Sequence, residues 1–230
     1  MSADIHIDGH SYPICIRRNA RAKRIILRLN TKSEGVIVTL PYGVSEKEAY
    51  QMAERHKVWI SNQLLKHPKL SSPSEGGSFP VRGQSHHIVH SGKKRGLIQQ
   101  DETSLIVSGE MDFLKRRLKD WLIQQAKQDI TPQAYELADK LNKKINHISF
   151  KDTKTRWGSC SSGGNLSFNW RLIMAPPEIL RYVVAHEVSH LAHMNHSADF
   201  WETVHFLFSD HKRARHWLKR HGSSLQNIQF

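Results

Sequence analysis

Two histidines four residues apart around a glutamate, in His186-Glu187-Val188-Ser189-His190, constrain this chain more than any other feature in it. On a helix, positions four apart share a face, so the two imidazoles can converge on one cation. Glu187 lies one step round, where a carboxylate can take a proton from a water polarised by that cation. Neutral imidazole suits zinc, and a catalytic zinc site typically keeps three protein ligands and one open position. The preceding stretch, Pro177 to Ala185, reads as a helix. Proline is tolerated at a helix start, and Ile179, Leu180, Val183 and Val184 recur at helical spacing.

In a chain with 16 histidines such a pair also arises by chance. The residues that follow strengthen the metal reading. His196 comes six positions after His190, the ligand spacing of the long motif HExxHxxGxxH, with His193 where that motif has glycine. A third ligand there requires the helix to end and the chain to swing back. Asn195 is the residue expected to take the left-handed conformation at that point. His193 shares the face of His186 and His190 but stands about 10 Å along the axis from His186, far for one ion. His196 is therefore the first candidate for the third ligand. Glu202 and His205 come next and His193 last, with a substrate-orienting or merely solvated role left open for His193. Zinc is the expected ion, at one per chain. Nickel or another divalent ion also binds such donors.

A 230-residue chain with 38% hydrophobic and 24% charged residues reads as a soluble globular protein of one large or two small domains. No apolar run reaches the roughly 18 residues a membrane span needs. The first residues lack the basic start and apolar stretch of a secretory signal. The two cysteines, Cys15 and Cys160, offer no disulfide framework, so a reducing cytoplasm is expected.

The net charge is +13, from 34 Lys plus Arg against 21 Asp plus Glu. One basic group holds Arg17, Arg18, Arg21, Lys23, Arg24 and Arg28. A second holds Lys115, Arg116, Arg117 and Lys119, and a third Lys212, Arg213, Arg215, Lys219 and Arg220. Such clusters attract anionic peptides, nucleotides or nucleic acid. Without aromatic residues interleaved for base stacking, solvated faces are the preferred explanation.

Short β-rich segments, Tyr12 to Ile16, Arg24 to Leu29 and Val36 to Leu40, lead to Ser45. Ser45 and Glu48 form a capping-box pattern opening a helix over about 45–66. Its stripe of Ala49, Met52, Ala53, His56, Trp59 and Ile60 reads as core. His67 to Ser78 is rich in Pro, Ser and Gly and reads as a linker or loop. Further strands are expected near Phe79–Val81, His86–His90, Gly96–Gln99 and Ser104–Val107. His86, His87 and His90 are assigned packing or surface roles. A helical pattern runs from Met111 to about Asn142, with a break expected at Thr131-Pro132. The division into domains is drawn as 1–110, β-rich and basic, and 111–230, carrying the chemistry.

In the last third, Ile145 to Phe150 reads as a strand. Thr155 to Cys160 and Asn165 to Leu172 read as a hairpin around Gly163-Gly164. A sheet edge beside the His-Glu helix would offer an extended peptide a row of backbone partners. Arg156 and Arg171 are candidates to hold an oxyanion or phosphate, with stacking against Trp157 the plainer role for Arg156. Cys160 reads equally as a small buried thiol.

Arg156-Trp157-Gly158-Ser159-Cys160, Asn169 with Leu172, Tyr182 through Leu191, Asn195-His196-Ser197 and Phe200-Trp201 together resemble the YgjP-like metal-dependent hydrolase family, related to SprT-like and other zincin metallopeptidases. The resemblance is most specific over about residues 150–220. It implies zinc on His186, His190 and His196, water activation by Glu187, and a helix over 197–208 whose Phe200 and Trp201 pack beneath the site. The fold expected is α+β: a zincin-like region with the HExxH helix beside a small antiparallel sheet, preceded by the β-rich basic region. The function expected is a zinc-dependent metallopeptidase acting on a peptide. A metal-dependent nucleotide pyrophosphatase on an anionic small molecule is the alternative. A nucleic-acid-binding module with a structural metal fits poorly, because structural zinc sites favour four closed, cysteine-rich ligands.

Overall fold

Alternating β-branched residues account for the first sheet. β1 (Asp4–Ile7), β2 (His10–Arg18), β3 (Ile26–Asn30) and β4 (Gly35–Leu40) lie in the order β1-β2-β4-β3. β2 and β4 run parallel, with Ile14 opposite Val36, and the other neighbours are antiparallel. Ile5, Ile7, Ile14, Val36, Val38 and Leu40 bury one face with Ala49, Ala53 and Ile60 of α1 (Glu46–Arg55) and α2 (Lys57–Lys66). The capping box forms as expected: the Glu48 N–H donates to the Ser45 hydroxyl, and the Ser45 N–H donates to the Glu48 carboxylate. The helix expected over 45–66 is two helices meeting at His56. Its ψ of 18° leaves the helical range, and its N–H is shared between the Met52 and Ala53 carbonyls. Of the apolar stripe, Ala49, Ala53 and Ile60 are buried while His56 and Trp59 are exposed.

The computed structural model describes residues 4–7, 9–30, 35–66, 72–93 and 95–230, so part of the expected linker over His67–Ser78 lies outside the described residues. The chain divides into two compact units, Met1–Lys69 and Leu70–Phe230. The division thus falls at 69/70 and not at 110/111. The reason is that Phe79, Val81, Ile88, Leu105 and Val107 share one hydrophobic core with the helices that follow them. Among the described residues no helix is long and apolar enough to cross a membrane.

In the second unit, β5 (Ser78–Val81), β6 (Gln84–His90), β7 (Gln99–Gln100) and β8 (Ser104–Val107) form a sheet ordered β5-β6-β8-β7. The histidines of β6 pack as expected. His86 is buried between the Gln84 carbonyl and the Gln100 amide, and His90 reaches the Gly109 carbonyl. α3 (Leu114–Lys140) then runs unbroken through Pro132, against expectation. Proline removes one helical hydrogen bond. The stripe Leu114, Leu118, Leu122, Ala126, Ile130, Ala134, Leu137 and Ala138 is buried on both sides of that position, and its packing holds the helix continuous.

The third sheet, β9 (His147–Lys151), β10 (Gly158–Cys160) and β11 (Asn165–Asn169), is ordered β10-β11-β9, with β10 at its edge. β10 and β11 form the expected antiparallel hairpin, while β9 joins β11 in parallel. β11 stops at Asn169, short of the expected Leu172. The Asn169 side chain accepts the Arg171 N–H and opens a 3₁₀ turn over Trp170–Met174. That turn delivers the chain to α4 (Pro177–Ser189), followed by α5 (Ala198–Leu207) and α6 (His211–Asn227).

Two contacts fix where α4 begins. The tight turn at Arg82-Gly83, both residues at positive φ, donates its backbone N–H groups to the carbonyls of Ile173 and Met174. A β-carbon at Gly83 would stand 2.9 Å from Pro176 Cα, so only glycine permits this approach. The Arg82 guanidinium grips both oxygens of Asp129 on α3 at 2.8 Å. Further along, Arg181 and Glu136 clamp α4 to α3 through paired hydrogen bonds of 2.9 and 3.1 Å.

Candidate metal centre

The last turn of α4 carries His186 and Glu187 and its C-cap residue is His190, with the apolar face of the helix in the core and these three at its margin. After Ser189 the helix tightens: the N–H of Leu191 bonds the Val188 carbonyl, and those of Ala192 and His193 bond Ser189. The chain then turns back without a left-handed residue at Asn195, contrary to expectation. The Asn195 side-chain oxygen accepts the Ser197 N–H instead, a local hydrogen bond that makes the turn. Ser197 caps α5 by accepting the Phe200 N–H.

This return brings His196 to the other two. One ring nitrogen from each of His186, His190 and His196 lies within 4.8 Å of the others, and among the described residues this is the one such group of metal-ligating side chains. His196 Nε2 faces His186 Nε2 at 3.3 Å. Two facing ring nitrogens require a shared proton or a shared cation between them. Donors about 2.1 Å from a tetrahedral ion stand about 3.4 Å apart, so the pair fits a zinc-sized ion. Three imidazoles with no thiolate are a donor set of the kind catalytic zinc sites use, whereas structural sites favour four cysteine-rich ligands. His193, Glu202 and His205 stand outside the group.

Neighbouring groups hold these three side chains in place. His190 Nδ1 donates to the His193 carbonyl at 3.0 Å, which leaves Nε2 as the free lone pair. His193 thus serves the site through its backbone. Phe200, fully buried on α5, forms a floor: its ring centroid lies 5.0, 4.5 and 4.7 Å from those of His186, His190 and His196. Trp201 borders His186 and His196, as the resemblance implied. Burial pushes the His186 pKa down to about 3, helped by His190, His196 and Arg215, so its ring is a neutral donor at ordinary pH. His190 is lowered as well, chiefly by burial. Among the described residues nothing hydrogen-bonds His186 Nδ1, which is buried.

Glu187 is 6% exposed, and burial pushes its carboxyl up to about 8, with the Arg156 charge opposing the rise. A group titrating near neutrality suits proton transfer in both directions. Its carboxylate lies against β10. A β-carbon at Gly158 would stand 2.6 Å from Glu187 Oε1, so glycine is required there. Reading the sequence missed this contact, although a glycine inside a strand does signal close approach. It also missed Tyr182, one helical turn before His186, whose ring meets the imidazole at 6.0 Å.

The remaining candidates separate. Arg156 is exposed and within electrostatic reach of Glu187. Arg171 is not available to a substrate. It is 7% exposed, bonded to both oxygens of Asp152 and to the carbonyls of Leu225 and Ile228, with Trp170 and Phe230 over its guanidinium. A buried guanidinium needs such partners, and here they come from the structure itself. Cys160 is half-buried, its pKa pushed up to about 11 by burial and then by the Glu187 charge, so it stays a neutral thiol.

No curated protein matches the chain. A family model described as YgjP-like, metallopeptidase domain, matches residues 23–221, a span that includes all three histidines and Glu187. The chain belongs to the YgjP-like family of metal-dependent hydrolases.

Proposed function

We propose that this protein is a zinc-dependent metallopeptidase of zincin-like architecture, with His186, His190 and His196 as ligands and Glu187 as general base. The observation that carries the reading is the convergence of three imidazole nitrogens beside a buried carboxylate that lies against an edge strand. A divalent ion held there supplies Lewis acidity, polarising a carbonyl and acidifying a water. Glu187 takes the proton lost by the attacking water onto a carboxylate oxygen and returns it to the leaving amine. Its burial keeps bulk water from competing for that proton. Among the described residues β10 pairs with β11 on one side only, so an extended peptide can pair with its other side and pass the Glu187 carboxylate. The His190–His193 hydrogen bond and the Phe200 floor hold the imidazoles in place, so little reorganisation is needed when a substrate arrives.

The nucleotide pyrophosphatase reading loses Arg171 as a phosphate ligand, which favours the peptide. Two free cysteines accord with a reducing, cytoplasmic setting.

The test combines metal content with cleavage. Protein purified without chelators is expected to hold about one zinc per chain. It should cleave members of an unfolded-peptide library, and Glu187→Gln should keep the metal and lose cleavage. Cleavage by Glu187→Gln at the parent rate would remove the base role. Hydrolysis of nucleoside triphosphates without any peptide cleavage would transfer the reading to the pyrophosphatase.

A further inference from the structure

The face of the third sheet opposite Glu187 carries a small polar hollow. Its lining includes Lys151, Thr153, Arg156, Gly158, Ser159 and Ser167, with Phe168 and Asn169 completing it, and its volume is about 90 Å³. Ser159 and Ser167 are directly paired across β10 and β11, so their side chains stand side by side on one face. Lys151, on β9, shares that face, because it pairs with Asn169, two residues along from Ser167. Among the described residues no hydrogen bond or ion pair takes up the Lys151 ammonium, the Arg156 guanidinium or the two serine hydroxyls. The lining contains two cations, the two serine hydroxyls, the Asn169 amide, a Thr153 hydroxyl already bonded to the Arg156 carbonyl, and no carboxylate. Nucleotide-sized ligands occupy pockets of several hundred Å³. This hollow is large enough for a small anionic group and too small for a nucleotide.

Its place relative to Glu187 gives it meaning. Gly158 is the shared wall: it lines the hollow and also lies against the Glu187 carboxylate. The side chain of the next residue, Ser159, points to the opposite face, into the hollow. A peptide paired to β10 alternates in the same way. If one of its residues presents its carbonyl beside Glu187, the adjacent side chain falls on the Ser159 face. A cationic lining then selects an anionic group there, in line with the net charge of +13.

We propose that Lys151, Arg156, Ser159 and Ser167 form a carboxylate subsite that recognises a substrate group one residue from the scissile bond. This rests on the peptidase reading only for the word substrate; the anion site stands on its own lining. The carboxylate comes either from an acidic side chain or from a peptide's free terminus.

Three small probes separate these cases by ¹H–¹⁵N NMR on the full, metal-loaded chain. They are N-acetyl-aspartate methylamide with an acidic side chain, N-acetyl-alanine with a free terminus, and N-acetyl-asparagine methylamide as the neutral control. Saturable shifts centred on the amides of Gly158, Ser159 and Ser167 are expected with one or both acids, at least about tenfold stronger than with the control. Lys151→Met, at an exposed strand position, and Ser159→Ala should each weaken that binding by several-fold. Equal shifts from acid and control would overturn the proposal, as would shifts confined to the histidines or undiminished binding by both variants. Cleavage of a peptide library is scored separately. Its absence alongside intact acid binding would sink the peptidase reading and leave the subsite standing. Where cleavage occurs, an acidic residue or terminus enriched at one fixed position, and lost in Lys151→Met, is the expected pattern.

Discussion

Gly158 lies so close to Glu187 that a β-carbon at position 158 would stand 2.5 Å from the glutamate Cγ. Neither partner can yield, since Gly158 is held in a hairpin and Glu187 is fixed on a helix anchored in the core. Gly158→Ala should therefore cost about 1–3 kcal/mol in stability through overpacking. It should lower kcat at least about a hundredfold by displacing the carboxylate. Zinc stoichiometry, set by the three histidines on the proposed reading, should stay near the parent value. A folded, zinc-loaded Gly158→Ala protein with parent kcat would refute this.

In the metal-free protein, the displaced pKa values of Glu187 and His186 pull stability in opposite directions. Glu187 titrates at about 8 when folded against an ordinary 4.5, so the folded state holds the extra proton between those values. Stability from this group is lost as pH rises across that window. His186 titrates at about 3 against an ordinary 6.5, so its contribution is lost as pH falls from 6.5. The two offset between about 4.5 and 6.5, and the Glu187 loss stands alone above. The Tm of metal-free protein should drop from pH 6.5 to 8, and Glu187→Gln should flatten that drop. Parallel curves for the two proteins would show that Glu187 is not the cause.

Arg171 makes a contrasting case. Replacing it with alanine strands a carboxylate and two carbonyls around a buried void, at an expected cost of about 3–5 kcal/mol. Arg171→Lys should recover little, because an ammonium cannot reproduce the forked contact with Asp152. Thermal melts should show the loss in both variants. A normal Tm with a raised KM would return Arg171 to the substrate.

Pro132 is exposed, inside a continuous helix. Pro132→Ala restores the missing hydrogen bond to the Gln128 carbonyl, and should stabilise by about 1–3 kcal/mol. That corresponds to a Tm rise of about 2–4 °C per kcal/mol for a chain of this size. An unchanged or lower Tm would mean that the helix is already adapted to the proline.

The features legible in the sequence were those set by local periodicity. The His186–His190 spacing, the Ser45–Glu48 box and the alternation in β4 and β11 all follow from how neighbours lie on one helix or strand. Each sheet also contains one parallel pair, β2 with β4, β6 with β8 and β9 with β11, and no local signal announces these. Pro132 misled because packing of the Leu122–Ala138 stripe outweighs one lost hydrogen bond. Arg171 misled because a buried arginine and a ligand-binding one look alike until Asp152 and residues 225–228 are in place. Asn195 turns the chain through its side chain, an alternative that its residue type allows as readily as the left-handed backbone.

The anchoring of residues 225–230 sets an order of events during synthesis. Arg171 closes on the carbonyls of Leu225 and Ile228, and the Phe230 ring packs against Phe79 and Trp170. The packing around Phe79 and Trp170 is therefore complete only once Phe230 has been synthesised. At about 5–20 residues per second, a nascent chain carries His196 for several seconds before that anchor exists. The first unit, whose core draws only on Ile5 to Ile60 and the residues packed with them, is free to form well before then.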